Sequence, residues 1–336
     1  MKYVLLNLGF LFLLPLISFA QKITYSESLK EDNRNMNFEI IGKLQGNVLV
    51  FKNIGNNYRI SVYDNNMQLS EKVNLDFLPN RTFNVNFLAT ADFFYLFYQY
   101  TKRGTVYCNV AKLDARAKLI NQPVVLDTTN ITIFQEEKIY TPVFSEDKQK
   151  IMIVKVQKKM SDLHYTTQLY NNQLQLLHKS FIITDYDERK VDYSDFLLAN
   201  DGTLVYAKAS KYRNNFNAAS LYLVTKDTLS DEFSYKKIEL KKIYIDEVKI
   251  KIDNINNKYL INSFYIPEKR GDIRGVFCAV WDAEADTIYA NKFTPFDDSI
   301  RATAKLNGRM RDAFNDFYIR NILVKKDGSY LLTAEN

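Results

Sequence analysis

The chain has 336 residues, 46% of them hydrophobic and 25% charged, with a formal net charge of +6. This is globular composition with room for a sizeable core, and it excludes disordered and collagen-like chains. Two histidines and two cysteines leave little for zinc fingers, haem or iron–sulfur ligation, whereas 23 tyrosines and 23 phenylalanines favour pleated, half-buried surfaces.

Lys2 precedes an apolar run from Tyr3 to Ala20 that ends Ser18-Phe19-Ala20-Gln21. A charged start, a short apolar stretch and a small-x-small exit predict a secretory signal peptide over residues 1–20, and so an exported product: periplasmic, cell-surface or extracellular. Pro15 and the short span argue against a membrane anchor, and no later run is long enough to cross a bilayer, so no transmembrane segment is expected after signal removal. Residues 21–35 read as an N-terminal segment. Export permits a disulfide, but Cys108 and Cys278 sit among apolar neighbours in equivalent strands, which predicts two buried free thiols.

From residue 36 the chain repeats. Tyr58–Leu69 resembles Tyr165–Leu176 at a constant offset of 107, and Lys102–Cys108 resembles Lys269–Cys278 after three extra residues. A shorter unit is marked by a strand end and polar turn at Tyr63-Asp64, Leu113-Asp114, Tyr170-Asn171, Val224-Thr225 and Trp281-Asp282, spaced 50, 57, 54 and 57 residues apart. Ahead of each lies a β-rich run, Val48–Phe51, Phe93–Tyr98, Ile151–Val156, Thr203–Ala207 and Tyr259–Phe264, itself preceded by a tight polar turn. Each unit reads as four antiparallel strands, which is what a β-propeller blade needs. Approximate blades are 36–79, 80–128, 138–183, 193–240 and 247–293, with the start of a sixth over 317–336. The insertion 294–316 reads as helical, capped by Asp298 or Ser299. Ending on a second strand leaves an unpaired edge, which predicts an incomplete chain, or else ring closure by Lys22–Ser28. Tandem β-sandwiches are the alternative, but they predict no fixed period.

In architecture the chain resembles uncharacterised exported β-propeller proteins of Gram-negative bacteria. The Trp-Asp, aspartate-box and Tyr-Trp-Thr-Asp signatures of named propeller classes are missing.

Catalytic chemistry is thin. His164 and His178 fall opposite Asn57 and Glu71 in the 107-residue alignment, so they read as ordinary strand or loop histidines, and no catalytic residue, metal site or cofactor is expected. Asp185, Asp187, Glu188, Asp192 and Asp195 cluster in the linker before the fourth unit and could supply a glycosidase's carboxylate pair. Asp185-Tyr-Asp187 lacks the glycine turn and ligand series of a calcium loop. The loops joining second to third strands carry twelve basic residues against three acids. Lys102, Arg103, Lys211, Arg213, Lys269, Arg270 and Arg274 are therefore the candidate ligand-binding residues. Linker acids, among them Asp246 and Glu247, oppose that charge. The expected function is an exported, non-catalytic binding or scaffold module for a protein or glycan, nucleic acid being excluded by export. The alternative is a carbohydrate-active hydrolase or lyase on the same scaffold.

Overall fold

In the computed structural model, residues 23–25, 36–132, 138–185, 191–211, 217–269, 271–297, 299 and 317–335 are described. The elements named among them are all β-strands. The signal peptide and most of the expected helical insertion lie outside the described residues, as do Arg213 and Arg270.

β1 (Met36–Leu44), β2 (Asn47–Ile54), β3 (Asn57–Tyr63) and β4 (Leu69–Asn74) form a four-stranded meander in chain order. β5 (Phe83–Ala89), β6 (Phe93–Lys102), β7 (Thr105–Asp114) and β8 (Val124–Asn130) form a second, and β9 (Tyr140–Phe144), β10 (Lys150–Lys159), β11 (Asp162–Asn171) and β12 (Leu176–Asp185) a third. The fourth comprises β13 (Val191–Tyr193), β14 (Leu197–Leu198), β15 (Leu204–Lys211), β16 (Ala218–Lys226) and β17 (Ser234–Ile238). The fifth comprises β18 (Tyr244–Ile245), β19 (Lys249–Asp253), β20 (Lys258–Ile266), β21 (Gly275–Asp282) and β22 (Thr287–Pro295). These two are not separate: β18 pairs with both β16 and β20 and fuses them into one ten-stranded sheet. β23 (Tyr318–Val324) and β24 (Tyr330–Glu335) make a hairpin.

The repeat has a local chemical cause. After the third strand of the first three sheets one Asp or Asn side chain accepts two backbone N–H groups and closes the turn. Asp64 does so for Asn66 and Gln68, Asp114 for Arg116 and Lys118, and Asn171 for Gln173 and Gln175, at 2.8–3.0 Å. Met67, Ala117 and Leu174 then take positive φ at the matching position of each turn. Asp282 caps its turn in the same way, through Glu284 and Ala285.

The chain divides into two compact units: Met1–Asn80, Ala89–Tyr95 and Lys112–Gln122, and Arg81–Leu88, Leu96–Ala111 and Pro123–Asn336. Within the second, the middle strands bury both faces. Along β15, Val205, Ala207 and Ala209 pack with Ile261, Tyr265 and Phe277 of the fifth sheet. Leu204 instead joins Met152, Val154 and Tyr165 of the third. Tyr206 points the same way, edge-on to Phe196 and Phe233. This is the period-two alternation of a strand sandwiched between two others. On the far side of the fifth sheet, Phe264, Ile266 and Ile273 pack against Ile319 of the hairpin.

The tight turns between first and second strands are also tied together. Asn200 accepts the Asp147 N–H at 3.1 Å, and Asn254 accepts the Asn200 N–H at 2.9 Å. The Asn254 amide donates to Glu146 at 2.8 Å. The partners are 53, 54 and 108 residues apart, so equivalent turns of the third, fourth and fifth sheets meet at one place.

Gly275 opens β21 where no side chain fits: a Cβ would lie 2.1 Å from the Thr294 carbonyl oxygen and 2.7 Å from the Pro295 Cα. Gly275→Ala should lower stability by about 2–3 kcal/mol, as overpacking of a filled site does. Urea unfolding followed by tyrosine fluorescence measures it.

Candidate functional site

The first strands of the fourth and fifth sheets are both broken in two. β13 and β14 pair with the same strand, β15, and the break between them is spanned by Ser194. The Ser194 N–H donates to the Ala207 carbonyl at 3.0 Å, its hydroxyl accepts the Ala207 N–H at 2.8 Å, and that hydroxyl donates to the Asp195 carbonyl at 3.1 Å. β18 and β19 likewise share β20, and the Asp246 N–H spans that break by donating to the Phe264 carbonyl at 3.0 Å. Where a strand is interrupted, side chains leave strict alternation and can be turned toward a neighbouring sheet.

A cavity of about 220 Å³ lies between the two breaks. Its apolar walls are Ala207, Ala209 and Ala218 on one side and Ile245 and Val248 on the other. Alanines stand where the surrounding interface carries tyrosine, phenylalanine and leucine, and the missing volume is the cavity. Its polar lining is Asp192, Tyr193, Ser194 and Asp195 from the first break, Asp246, Glu247 and Lys249 from the second, and Lys211 from the end of β15.

The carboxylates are held differently. Asp192 lies 2.7 Å from the Lys211 ammonium. Glu247 and Asp195 share Lys249, at 2.8 and 3.6 Å, and Glu247 holds that lysine's pKa above its ordinary value. Burial pushes the Asp246 carboxyl above the ordinary carboxylate range. The Glu247 N–H and Lys211 pull it down, while the Glu247 and Asp192 charges add to the rise. An acid with a raised pKa thus shares one pocket with a carboxylate ion-paired to lysine.

Of the acids expected from the sequence, Asp192 and Asp195 line this cavity. Asp185 sits at the end of β12 opposite Asp162, and Asp187 and Glu188 lie outside the described residues. Asp246 and Glu247 read in the sequence as linker charges that cancel a basic rim, and nothing in their spacing marks one as buried. Among the basic candidates, Lys211 is brought into the cavity. Lys102 and Arg103 sit at the exposed β6–β7 turn, Lys269 is exposed beyond β20, and Arg274 is exposed just before β21. His164 lies in β11 with a buried Nδ1 and its ring 5.6 Å from Phe181, and His178 in β12 contacts Asp231 at 3.2 Å. Cys108 is a buried free thiol, pushed to about 12 by burial, and Cys278 is free but only partly buried.

A second polar group, in the second unit, is structural. Tyr140 is fully buried, its hydroxyl 2.6 Å from Thr129 Oγ1 and donating to Asp127 at 3.1 Å, and Asp127 also takes Lys155 at 2.7 Å. These contacts join β8 to β9 and β10. Among the described residues, no group of three or more His, Cys, Asp or Glu side chains is placed to hold a metal ion. No described helix is long and apolar enough to cross a membrane.

No family model and no curated protein matches the sequence. Solved structures with a similar fold include prolyl oligopeptidase B from Galerina marginata bound to a 25mer macrocyclization substrate. That match has a TM-score of 0.43 and 9% identity, over 86% of this chain and 37% of that one. An ACO/RPE65 chimera gives 0.46 and 8% over 93% and 67%, and a Synechocystis apocarotenoid oxygenase mutant 0.46 and 9% over 89% and 65%. This chain thus spans from about a third to two thirds of their length. Prolyl oligopeptidase and apocarotenoid oxygenase are enzymes, so the expected non-catalytic binding module is corrected. Their chemistry stays with them, and the repeated four-stranded sheets rest on this chain's own strand pairing.

The raised pKa of Asp246 makes a signed prediction. The folded state holds this proton more tightly than the unfolded chain, whose carboxyl has its ordinary value of 3.8. The stabilising contribution is present below that value and lost as pH rises through the folded value. Asp246→Asn should melt higher than the parent at neutral pH, with the difference closing toward about pH 4. Thermal melts at the two pH values test this, and an equal offset at both would contradict it.

Proposed function

We propose that the chain is a carbohydrate-active hydrolase or lyase whose acid–base pair is Asp246 and Asp192. The observation that carries this reading is a half-buried carboxyl with a raised pKa sharing a small cavity with a carboxylate ion-paired to lysine. Asp246, whose carboxyl burial biases toward the protonated form, donates its proton to the leaving-group oxygen of a glycosidic bond. Asp192, ion-paired to Lys211 at 2.7 Å, takes a proton from water or from the sugar ring. Glu247, Asp195 and Lys249 form a charged rim that fixes the approach of the chain end. At about 220 Å³ the cavity is below the usual range of roughly 300–1,000 Å³ for ligand pockets, which favours one sugar unit over a long segment. Ser194 is not a nucleophile in this scheme, because its hydroxyl is engaged at both lone pair and proton and no histidine lines the cavity.

We further read the sheets as blades of a β-propeller, supported by the four-stranded meanders, the repeated Asx-closed turns and the hydrogen bonds at near-period separations. Export by residues 1–20 is proposed from the sequence alone.

A panel of polysaccharides and aryl glycosides incubated with the full chain tests the reading. Turnover should show a bell-shaped pH profile. Asp246→Asn and Asp192→Asn should each lower kcat about 10²-fold or more, the usual contribution of a positioned acid or base. Ala209→Leu, which fills the cavity and leaves both carboxyls in place, should also abolish turnover. Activity that survives all three changes would place the chemistry elsewhere.

A further inference from the structure

The first unit carries a second cavity, independent of the acid–base pocket. It measures about 470 Å³ and opens at one end of the β1–β4 sheet, within the roughly 300–1,000 Å³ of small-molecule sites. Four amides line it: Asn56 and Asn57 from the β2–β3 turn, Asn74 from the end of β4 and Asn80 from the loop beyond. Arg59 and Asp76 stand among them and balance in charge.

The two walls are fixed by the backbone. Gly55 and Asn56 both take positive φ, 56° and 69°, in a two-residue hairpin turn, and the Asn56 N–H donates to the Asn53 side chain at 3.1 Å. Arg59 and Asn74 are directly opposed in the β3–β4 register. The Leu75 N–H donates to the Tyr58 carbonyl, and the Leu78 N–H to the Leu75 carbonyl, each at 2.9 Å, so the loop is folded back over buried Tyr58 and Leu78. The lining is therefore set before any ligand arrives, which lowers the ordering cost of binding.

The chemistry of the lining selects the ligand. Each asparagine offers an acceptor oxygen and two N–H donors, so a row of them suits groups that both donate and accept. Hydroxyls do this, and the Tyr58, Leu75 and Leu78 side chains in the same lining suit the C–H face of a sugar ring. With one cation and one anion in the lining, no net charge is favoured. We propose that this cavity binds a neutral saccharide.

The test uses the full chain on an array of neutral, uronic-acid and sulfated oligosaccharides, with calorimetry on the neutral hits. At least one neutral oligosaccharide should bind. Asn57→Ala, Asn74→Ala and Asn80→Ala should each weaken it about tenfold, the loss of a polar contact to the ligand. Asn80 lies outside the sheet, so its variant reports binding even where a strand variant folds poorly. Asp246→Asn should leave this affinity unchanged, which separates it from the acid–base site. No glycan bound, charged glycans alone bound, or neutral binding that ignores the asparagines or follows Asp246 would each overturn the proposal.

Discussion

Much of the described structure depends on one constraint: the middle strands of the four-stranded sheets are apolar on both faces. β15 and β20 are buried through most of their length and β10 over Ile151–Val154, and the third strands β11 and β16 are mostly buried too. A single twisted sheet cannot hide both sides of such a strand, so a sheet must be covered by the next. In the second unit this is seen along β15, where odd and even residues enter two different cores. Aromatic side chains suit the role because each covers a large area with two rotatable bonds, and Tyr165, Tyr206 and Phe233 meet edge-on across the gap. Fourth strands escape the constraint. β4 alternates half-buried and exposed residues, as an edge with one wet face does.

Against that apolar background the cavity in the fourth and fifth sheets is an exception with an identifiable origin. Two first strands break at matching places, and alanines on β15 and β16 withdraw the volume that would fill the space between the breaks. The backbone loses little, since Ser194 and the Asp246 N–H keep the broken ladders hydrogen-bonded. Side chains are what change. Residues that would point to solvent along an unbroken edge are turned inward, and they are charged. Lysines at the periphery hold three of the carboxylates and leave Asp246 to burial.

The periodic parts of this arrangement are legible in the sequence. Second strands are continuous apolar runs bounded by Gly, Asn and Asp, and the Asx-closed turns recur because one side chain closes each. Even so, the fourth unit's third strand runs to Lys226, past the expected end at Val224-Thr225, with that lysine nearly fully buried and its pKa lowered by desolvation. A polar letter there reads as turn only if it is assumed to be solvated. The site fails to show for the same reason. β13, β14 and β18 are two or three residues long, too short for any periodic signal. Asp192 and Asp195 were visible as acids near a unit boundary, but Asp246 and Glu247 looked the same as any solvated linker pair. What distinguishes them is the wall of Ile245 and Val248 and the alanines opposite, which lie far back along the chain on β15 and β16. The fusion of two sheets through Tyr244 and Ile245 is likewise invisible, since it rests on pairs to both β16 and β20.

Asp246 also bears on how fold and chemistry divide the work. Its burial opposes ionisation, since an ionised carboxylate loses hydration that a single N–H from Glu247 and the nearby Lys211 only partly replace. A residue chosen for stability alone at this place would be neutral, because the local backbone donor can be satisfied equally by an amide oxygen. The Lys155–Asp127–Tyr140 group of the same unit shows the other solution: there the carboxylate is matched by a close ammonium and a phenol, and the polar atoms join neighbouring strands. The contrast separates a buried charge that holds the sheets together from one that the sheets must hold. Local rules are usually broken where a protein acts on something, and in the second unit the break falls at Asp246.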